Sequence, residues 1–420
     1  AGLSSSSLQT LNSGDNLNGG NGTDELFAVI NTSVTPTTFA SIENVNVTVV
    51  TNPSTIDLTN SSGVQTVVLG GATAVATVAG IGKAVGVTLR DSGQAHTITY
   101  SDVTGSADSA TVNVSNMSQA TTVATTIAGV ETLTINTTGG DSAIGLLTSA
   151  NTTTLNVTGN KALNIVDNLG ATILTVNAST QTGGVNLDFG GTTMSVTGGA
   201  GNDDFSFEAA GNVTVSGGVG NDTIRFDATG TLTSADTIDG GDGTDTLSTP
   251  VSITTTTGAN ISGFETVRIS AAGATVALPA TNTVGTLTIV DAVGGTLTNL
   301  AAGGTVNLRD GGAATVTNTT GWTGTTDAIT VNVGASTSTG STGAGTATAV
   351  SAALIETATI NNLQASTDTT ARSVGVTGAS LKTMNVVSSG TAALTITGGG
   401  TLLTAIDASA VNGAVTNSAT

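Results

Sequence analysis

Four stretches carry residue types that could do chemistry: GGNGTDELF (19–27), GGAGNDDFS (198–206), GGVGNDTIR (217–225) and GGDGTDTLS (240–248). Each sets an aspartate behind a cluster of glycines, with a large apolar residue two positions further on. Two have half-repeats before them: Asp15 lies nine residues ahead of Asp24, with Leu17 at the apolar place, and Asp236 lies nine ahead of Asp245, with Ile238 there. Asp203 and Asp222 are 19 apart, close to two nine-residue units. Glycine tolerates positive φ and close approach, so such a loop turns carbonyl oxygens inward. The aspartate adds an anionic oxygen. Hard divalent cations, calcium above all, take about six to eight oxygens of mixed kinds. The candidate metal set is therefore Asp15, Asp24, Asp203, Asp222, Asp236 and Asp245, with Gly19, Asn21, Gly198, Ala200, Gly217, Val219, Gly240 and Asp242 from the loops. The competing reading is ordinary Gly-Asn-Asp turns that need no ion.

The elements around these loops read as strands. Apolar residues alternate with Thr, Ser or Asn in VTLRDSGQAHTITY (87–100), ETLTINTT (131–138) and KTMNVVSSGTAALTIT (382–397), a period of two. Val and Thr favour strands, while Gly and Asn punctuate turns. The chain is 38% hydrophobic, which suffices for a core, yet only 9% charged and 2% aromatic. With 28 acidic and eight basic residues the formal charge is −20. Phosphate binding needs clustered Lys and Arg, so nucleic acid is excluded as a partner, and the acidity suits cations. There is no cysteine, so something other than disulfides must secure the structure outside a cell. No run of 18 apolar residues is present to span a membrane. AGLSSSSLQT at the start lacks the basic and apolar regions of a secretory signal, so a surface location implies another export route or a trimmed chain.

Internal repetition organises the length. VTLRDSGQAHTIT (87–99) matches VNLRDGGAATVTN (306–318). GGNGTDEL (19–26) matches GGDGTDTL (240–247), SIENVNV (41–47) matches GFETVRI (263–269), and GVETLTI (129–135) matches LIETATI (354–360). TLNVTGNKALNI (from 154) likewise matches TMNVVSSGTAALTI (from 383). The order is kept throughout and the offset drifts only slowly, which implies two copies, roughly 13–197 and 234–420. The expected domains are 1–197, a first β copy opening with a short glycine–aspartate loop; 198–248, a calcium roll linking the copies; and 249–420, the rest of the second copy, whose duplication begins about 234. The second copy stops where the first runs on into GGAGNDDF, so the chain is expected to be a piece of a longer polypeptide.

The glycine–aspartate loops are similar to the calcium-binding nonapeptide of RTX (repeats-in-toxin) proteins. GGDGTDTL followed by ISGFETVRIS, and separately IAGVETLTIN, then ASLKTMNVVSSGTAALTITGGGTLLTAIDASAV, resembles crystalline surface-layer (S-layer) proteins of Gram-negative bacteria exported by type I secretion. That resemblance implies short parallel β-rolls around Ca2+, calcium-dependent self-assembly of identical subunits, and an extracellular, cell-surface location. It also implies contact with lipopolysaccharide through a region not in this chain. The fold expected is all-β: an elongated parallel β-solenoid or spiral with short RTX calcium β-rolls, in two homologous halves, at about 18–20 residues per coil.

Other residues carry weaker signals. Glu43, Glu131, Glu265 and Glu356 each stand at a strand head after an apolar residue, either as calcium ligands, as subunit contacts, or as acceptors for turn amides that set strand register. The Leu-Arg-Asp triples at 89–91 and 308–310 are expected to form an Arg–Asp pair at a strand end, or an ion site at Asp91 or Asp310. His96 is the one histidine, so the second copy has none at the corresponding place, which points to a strand residue and not a catalytic base. Tyr100 and Trp322 have no aromatic neighbours in sequence to build a sugar platform. The function expected is structural, a surface-layer subunit and no enzyme. The alternatives are a repeat segment of a large secreted RTX adhesin or fibre, and a polysaccharide-cleaving β-helix.

Overall fold

The computed structural model describes residues 9–191, 194–208, 211–227, 232–290, 294–308, 312–317, 322–333, 348–363, 372–388 and 393–418. Among these there is no helix, and the strands pair in parallel from one coil to the next. The chain forms the expected fold: the alternation implied an all-β chain and the resemblance of its glycine–aspartate loops a parallel β-solenoid. No helix of the described residues is long and apolar enough to cross a membrane. The chain divides into two compact units, residues 1–220 and 221–420.

The pattern that makes each strand also makes the core. In Asn44–Val49 (NVNVTV) every second residue is buried, because successive side chains point to opposite faces. Stacking parallel coils in register then aligns the buried residues into columns. Leu133, Leu155, Val176, Val196 and Val215 are successive register partners, and none is more than 1% exposed. Each such side chain stabilises the coil by about 1.5–3 kcal/mol. Phe189 and Phe207, also register partners, stack with ring centroids 4.8 Å apart.

In the first unit, a short sheet joins Asn16–Asn18, Thr38–Ala40 and Ser61–Ser62, and a longer one runs from Glu25–Ile30 to Val213–Val219. Two further groups complete its walls, including Leu146–Thr148 through Ser54–Asp57 and Ser142–Ile144 through Asp204–Phe207. In the second unit, one sheet runs from Thr223–Phe226 to Ala405–Val411 and another from Ala274–Ala277 to Val415–Asn417.

Coil length is not confined to the expected range of about 18–20 residues. Register partners Asn186 and Asp204 are 18 apart and Thr246 and Thr266 are 20 apart, but Thr132 and Thr154 are 22 apart and Ala328 and Thr357 are 29 apart. Parallel pairing fixes only the strand segments, so corner loops lengthen without disturbing the ladder. Half-buried asparagines on the outer face add amide ladders between coils: Asn136 Nδ2 donates to Asn113 Oδ1 (2.8 Å), and Asn361 Nδ2 to Asn332 Oδ1 (3.0 Å), while Asn332 Nδ2 in turn donates to Asn307 Oδ1 (2.8 Å).

Candidate metal centre

The glycine–aspartate motifs fall at corners where the chain turns into a sheet strand. Asp24 directly precedes Glu25–Ile30, Asp203 precedes Asp204–Phe207, Asp222 precedes Thr223–Phe226, and Asp245 precedes Thr246–Thr249. The half-repeat aspartates precede the opposite strand of their coil, Asp15 before Asn16–Asn18 and Asp236 before Thr237–Asp242. Three loops share one backbone device: positive φ at Gly20 and Gly22 (90° and 124°), at Gly218 and Gly220 (111° and 142°), and at Gly241 and Gly243 (102° and 150°). Only glycine adopts these angles without strain. Gly198, Gly217 and Gly240 are buried, while Asn21, Ala200, Val219 and Asp242 are exposed and Gly19 is half-buried. A Cβ on Gly240 would lie 2.0 Å from the Gly263 carbonyl oxygen, and one on Gly19 would lie 2.0 Å from that of Ser41. The first glycine of each of these motifs thus admits the backbone of the next coil.

The six aspartates differ in what satisfies them. Asp15 Oδ2 accepts the N–H of Asn12 (2.8 Å) and Asp236 Oδ2 that of Thr233 (2.6 Å), so each closes a short turn. Asp203, 2% exposed, accepts from Val185 N–H on Oδ1 (2.8 Å) and from Gly199 N–H on Oδ2 (2.9 Å). Burial raises its pKa and those two bonds oppose the rise. Asp222 is also buried, and its N–H donates to Asp245 Oδ1 (2.7 Å). Asp24 and Asp245 each keep a buried Oδ2 with no hydrogen-bond partner. Asp245 is 0% exposed. Its pKa is raised by burial first, and further by the like charges of Glu265, Asp239 and Asp242, against the pull of the Asp222 bond. A buried carboxylate oxygen left unpaired costs about 1–3 kcal/mol or more, and a hard cation removes that cost. These two corners fit calcium. Among the described residues no three Asp, Glu or His side chains are gathered as a metal cluster, so an ion at either corner takes backbone carbonyls as well.

The four glutamates act on the same corners. Glu43 Oε2 accepts the Asp24 N–H (2.8 Å), Glu131 Oε2 that of Asp108 (2.8 Å), Glu265 Oε2 that of Asp245 (2.9 Å), and Glu356 Oε2 that of Asp327 (2.9 Å). The return bonds run from each glutamate N–H to the aspartate carbonyl, at 3.2, 3.0, 3.2 and 2.8 Å. The turn-amide reading of these glutamates is the one that the geometry displays.

Asp108 and Asp327 escaped the sequence reading because neither follows a glycine pair. The available signal was their shared setting, GSAD (105–108) and GTTD (324–327), each a short way upstream of its glutamate. At Asp108 a basic side chain takes part: Lys83 Nζ bonds Asp108 Oδ1, and Oδ2 accepts from Gly105 N–H (3.0 Å).

The remaining candidates play other parts. Arg90 and Asp91 form an exposed ion pair of 3.3 Å at the end of Gly86–Arg90; Arg309 and Asp310 lie outside the described residues. His96 is 0% exposed in the core. Tyr100 is buried too, and its hydroxyl is pushed up by burial and by the charge of Asp102. Trp322 is also buried. A groove of about 490 Å³ lined by Asp141, Asn164, Asn186 and Asp204 contains none of the metal candidates.

No protein-family model matches the chain, and no curated protein is significantly similar to it.

Proposed function

We propose that this chain is a structural subunit of a calcium-dependent, self-assembling surface layer on a Gram-negative bacterium. The observation that carries the reading is the pair of buried, unpartnered carboxylate oxygens at Asp24 and Asp245, each behind a glycine loop of positive φ. A β-solenoid stacks only on neighbouring coils. This one has no disulfide and carries a net charge of −20, so neutralising its buried carboxylates contributes directly to cohesion. Ions that bind the folded form alone convert binding free energy into folding free energy. A chain held unfolded where calcium is scarce and folding where it is abundant suits type I export to the cell surface. The partners are then identical copies, with lipopolysaccharide held by a region outside this chain. The lone histidine is sealed in the core, which supports a structural role over a catalytic one.

The RTX-like character and the two homologous halves belong to the same proposal. Corners Asp24–Glu43 and Asp108–Glu131 correspond to Asp245–Glu265 and Asp327–Glu356, in the same order along each copy. Electron microscopy of the assembled material with and without calcium tests the function. A two-dimensional lattice that dissolves on chelation supports the surface layer, whereas isolated fibrils favour an adhesin. A melting temperature unchanged by EGTA overturns the calcium reading.

A further inference from the structure

We propose that Glu265 is a cation ligand that closes the Asp245 site from the following coil, the ion doing there what the Lys83 ammonium does at the Asp108–Glu131 corner. The proposal rests on the calcium reading above and adds to it a residue outside the glycine–aspartate motif.

The two corners share a backbone frame. In each, the aspartate N–H donates to the glutamate carboxylate of the next coil, and the glutamate N–H donates back to the aspartate carbonyl. What differs is the source of positive charge. At the first corner Lys83 Nζ binds Asp108, whose side chain is 8% exposed, and the ammonium also feels Asp102 and Glu131. One built-in cation thus serves three carboxylates.

At the second corner, Asp245 is fully buried and its Oδ2 has no partner. That oxygen lies 3.0 Å from where a Cβ on Gly240 would be, and the Gly263 carbonyl oxygen lies 2.0 Å from the same spot. The carboxylates of Glu265, Asp239 and Asp242 act on Asp245. The bare Asp245 oxygen, the Glu265 carboxylate held at the Asp245 N–H and the nearby Gly263 carbonyl offer the mixed oxygens a hard divalent cation takes, while Asp239 and Asp242 add negative charge without joining the ligand set. The bond from Asp245 N–H occupies only one of the roughly four lone-pair positions on the Glu265 carboxylate, so the side chain holds the coil register and still ligates.

The test uses the full chain and calcium alone, followed by titration calorimetry, with terbium luminescence as a second readout. Glu265→Gln keeps an oxygen to accept the Asp245 N–H and removes only the charge. It should lose one ion per chain, or bind it at least tenfold more weakly, and its melting temperature should fall relative to wild type only when calcium is present. Glu208→Gln, on the exposed side of the first unit, should match wild type. Lys83→Met should take up one ion more than wild type. If Glu265→Gln does not fold, Glu265→Asp, which retracts the carboxylate by one methylene, should show the same loss. A wild-type chain that binds calcium while Glu265→Gln binds the same number at the same affinity overturns the assignment and leaves the calcium reading standing. Wild type that takes up no calcium overturns that reading itself. A folded Lys83→Met chain with no added ion removes the equivalence of the corners, and the assignment with it.

Discussion

Asp327 and Glu356 grip each other through both backbone and side chain: the Asp327 N–H donates to Glu356 Oε2 at 2.9 Å, and the Glu356 N–H donates to the Asp327 carbonyl at 2.8 Å. The Glu356 carbonyl then accepts from Lys382 and Thr383 of the next coil at 2.8 and 3.1 Å. A parallel ladder in which every coil offers Thr and Val at similar places has little to fix its register, and a slip by one residue would expose the core column. The glutamate supplies a reference point, because only one register presents its carboxylate to the amide of the preceding corner.

Glu356 is 8% exposed and the Asp327 N–H it accepts is half-buried, so truncating it strands that donor. Glu356→Ala should lower stability by about 1–3 kcal/mol, while Glu356→Gln, which retains an acceptor, should recover most of that. Equilibrium urea unfolding of the two variants checks the difference. Equal losses for Ala and Gln would mean that the charge and not the hydrogen bond matters at this corner.

The strands were legible because burial alternates so strictly: the Val45, Val47, Val49 pattern can be read without coordinates. Parallel stacking was legible only through the resemblance of the glycine–aspartate loops to a calcium β-roll, since alternation alone gives strands without their direction. The site was legible only in part. Asp24 and Asp245 announce themselves through their glycines, but the orphaned oxygens that set them apart from Asp203 arise from neighbours 18 to 23 residues away, such as Val185, which satisfies Asp203, and Asp222, which takes the other oxygen of Asp245. Those pairings depend on corner-loop length, which alternation does not encode. Lys83 meets Asp108 for the same reason, across 25 residues.

Gly240 and Gly285 give a paired test of the corner geometry. A methyl on Gly240 meets the Gly263 carbonyl at 2.0 Å, whereas one on Gly285 meets nothing within 4 Å. The obstacle is backbone, so it does not move aside as a side chain would. Gly240→Ala should cost about 1–3 kcal/mol or more through overpacking, and Gly285→Ala should be close to neutral. Thermal melts of both variants in chelator isolate this backbone effect from ion binding; a Gly240→Ala chain as stable as Gly285→Ala would contradict the close approach of the two coils.

Lys83 and Asp108 set one acid and one alkaline limit. The hydrogen bond from Lys83 holds the Asp108 carboxyl below its usual 3.8, so this contribution is complete above that pH and is lost as pH falls through the depressed value. The same bond raises Lys83 above 10.5, so its contribution is present below 10.5 and is lost as pH rises through the elevated value. In chelator, Lys83→Met should therefore be less stable than wild type at neutral pH, and the gap should narrow toward either extreme. Parallel pH–stability curves for the two proteins would show that the pair adds nothing.

His96 imposes a different acid dependence. Its strand lies between Ala76–Ile81 and Ala124–Ala128, where its register partners are Ala76 and Thr125. Neither carries a charge, neither ring nitrogen has a hydrogen-bond partner, and Tyr100 is the titratable group on the same strand and face. Burial alone therefore lowers the imidazole from 6.5 to about 4. The unfolded chain takes up a proton near pH 6.5, while the folded chain resists until about pH 4. Stability is consequently full above 6.5 and declines as pH falls toward 4, by about 3 kcal/mol across the window at roughly 1.4 kcal/mol per unit. His96→Leu, which fills the same core position with an apolar side chain, should abolish this decline without altering the number of ions bound. Urea unfolding of wild type and variant at pH 7.5 and 4.5 in chelator measures it, and a wild-type midpoint that does not fall relative to the variant at the lower pH would place His96 in contact with water.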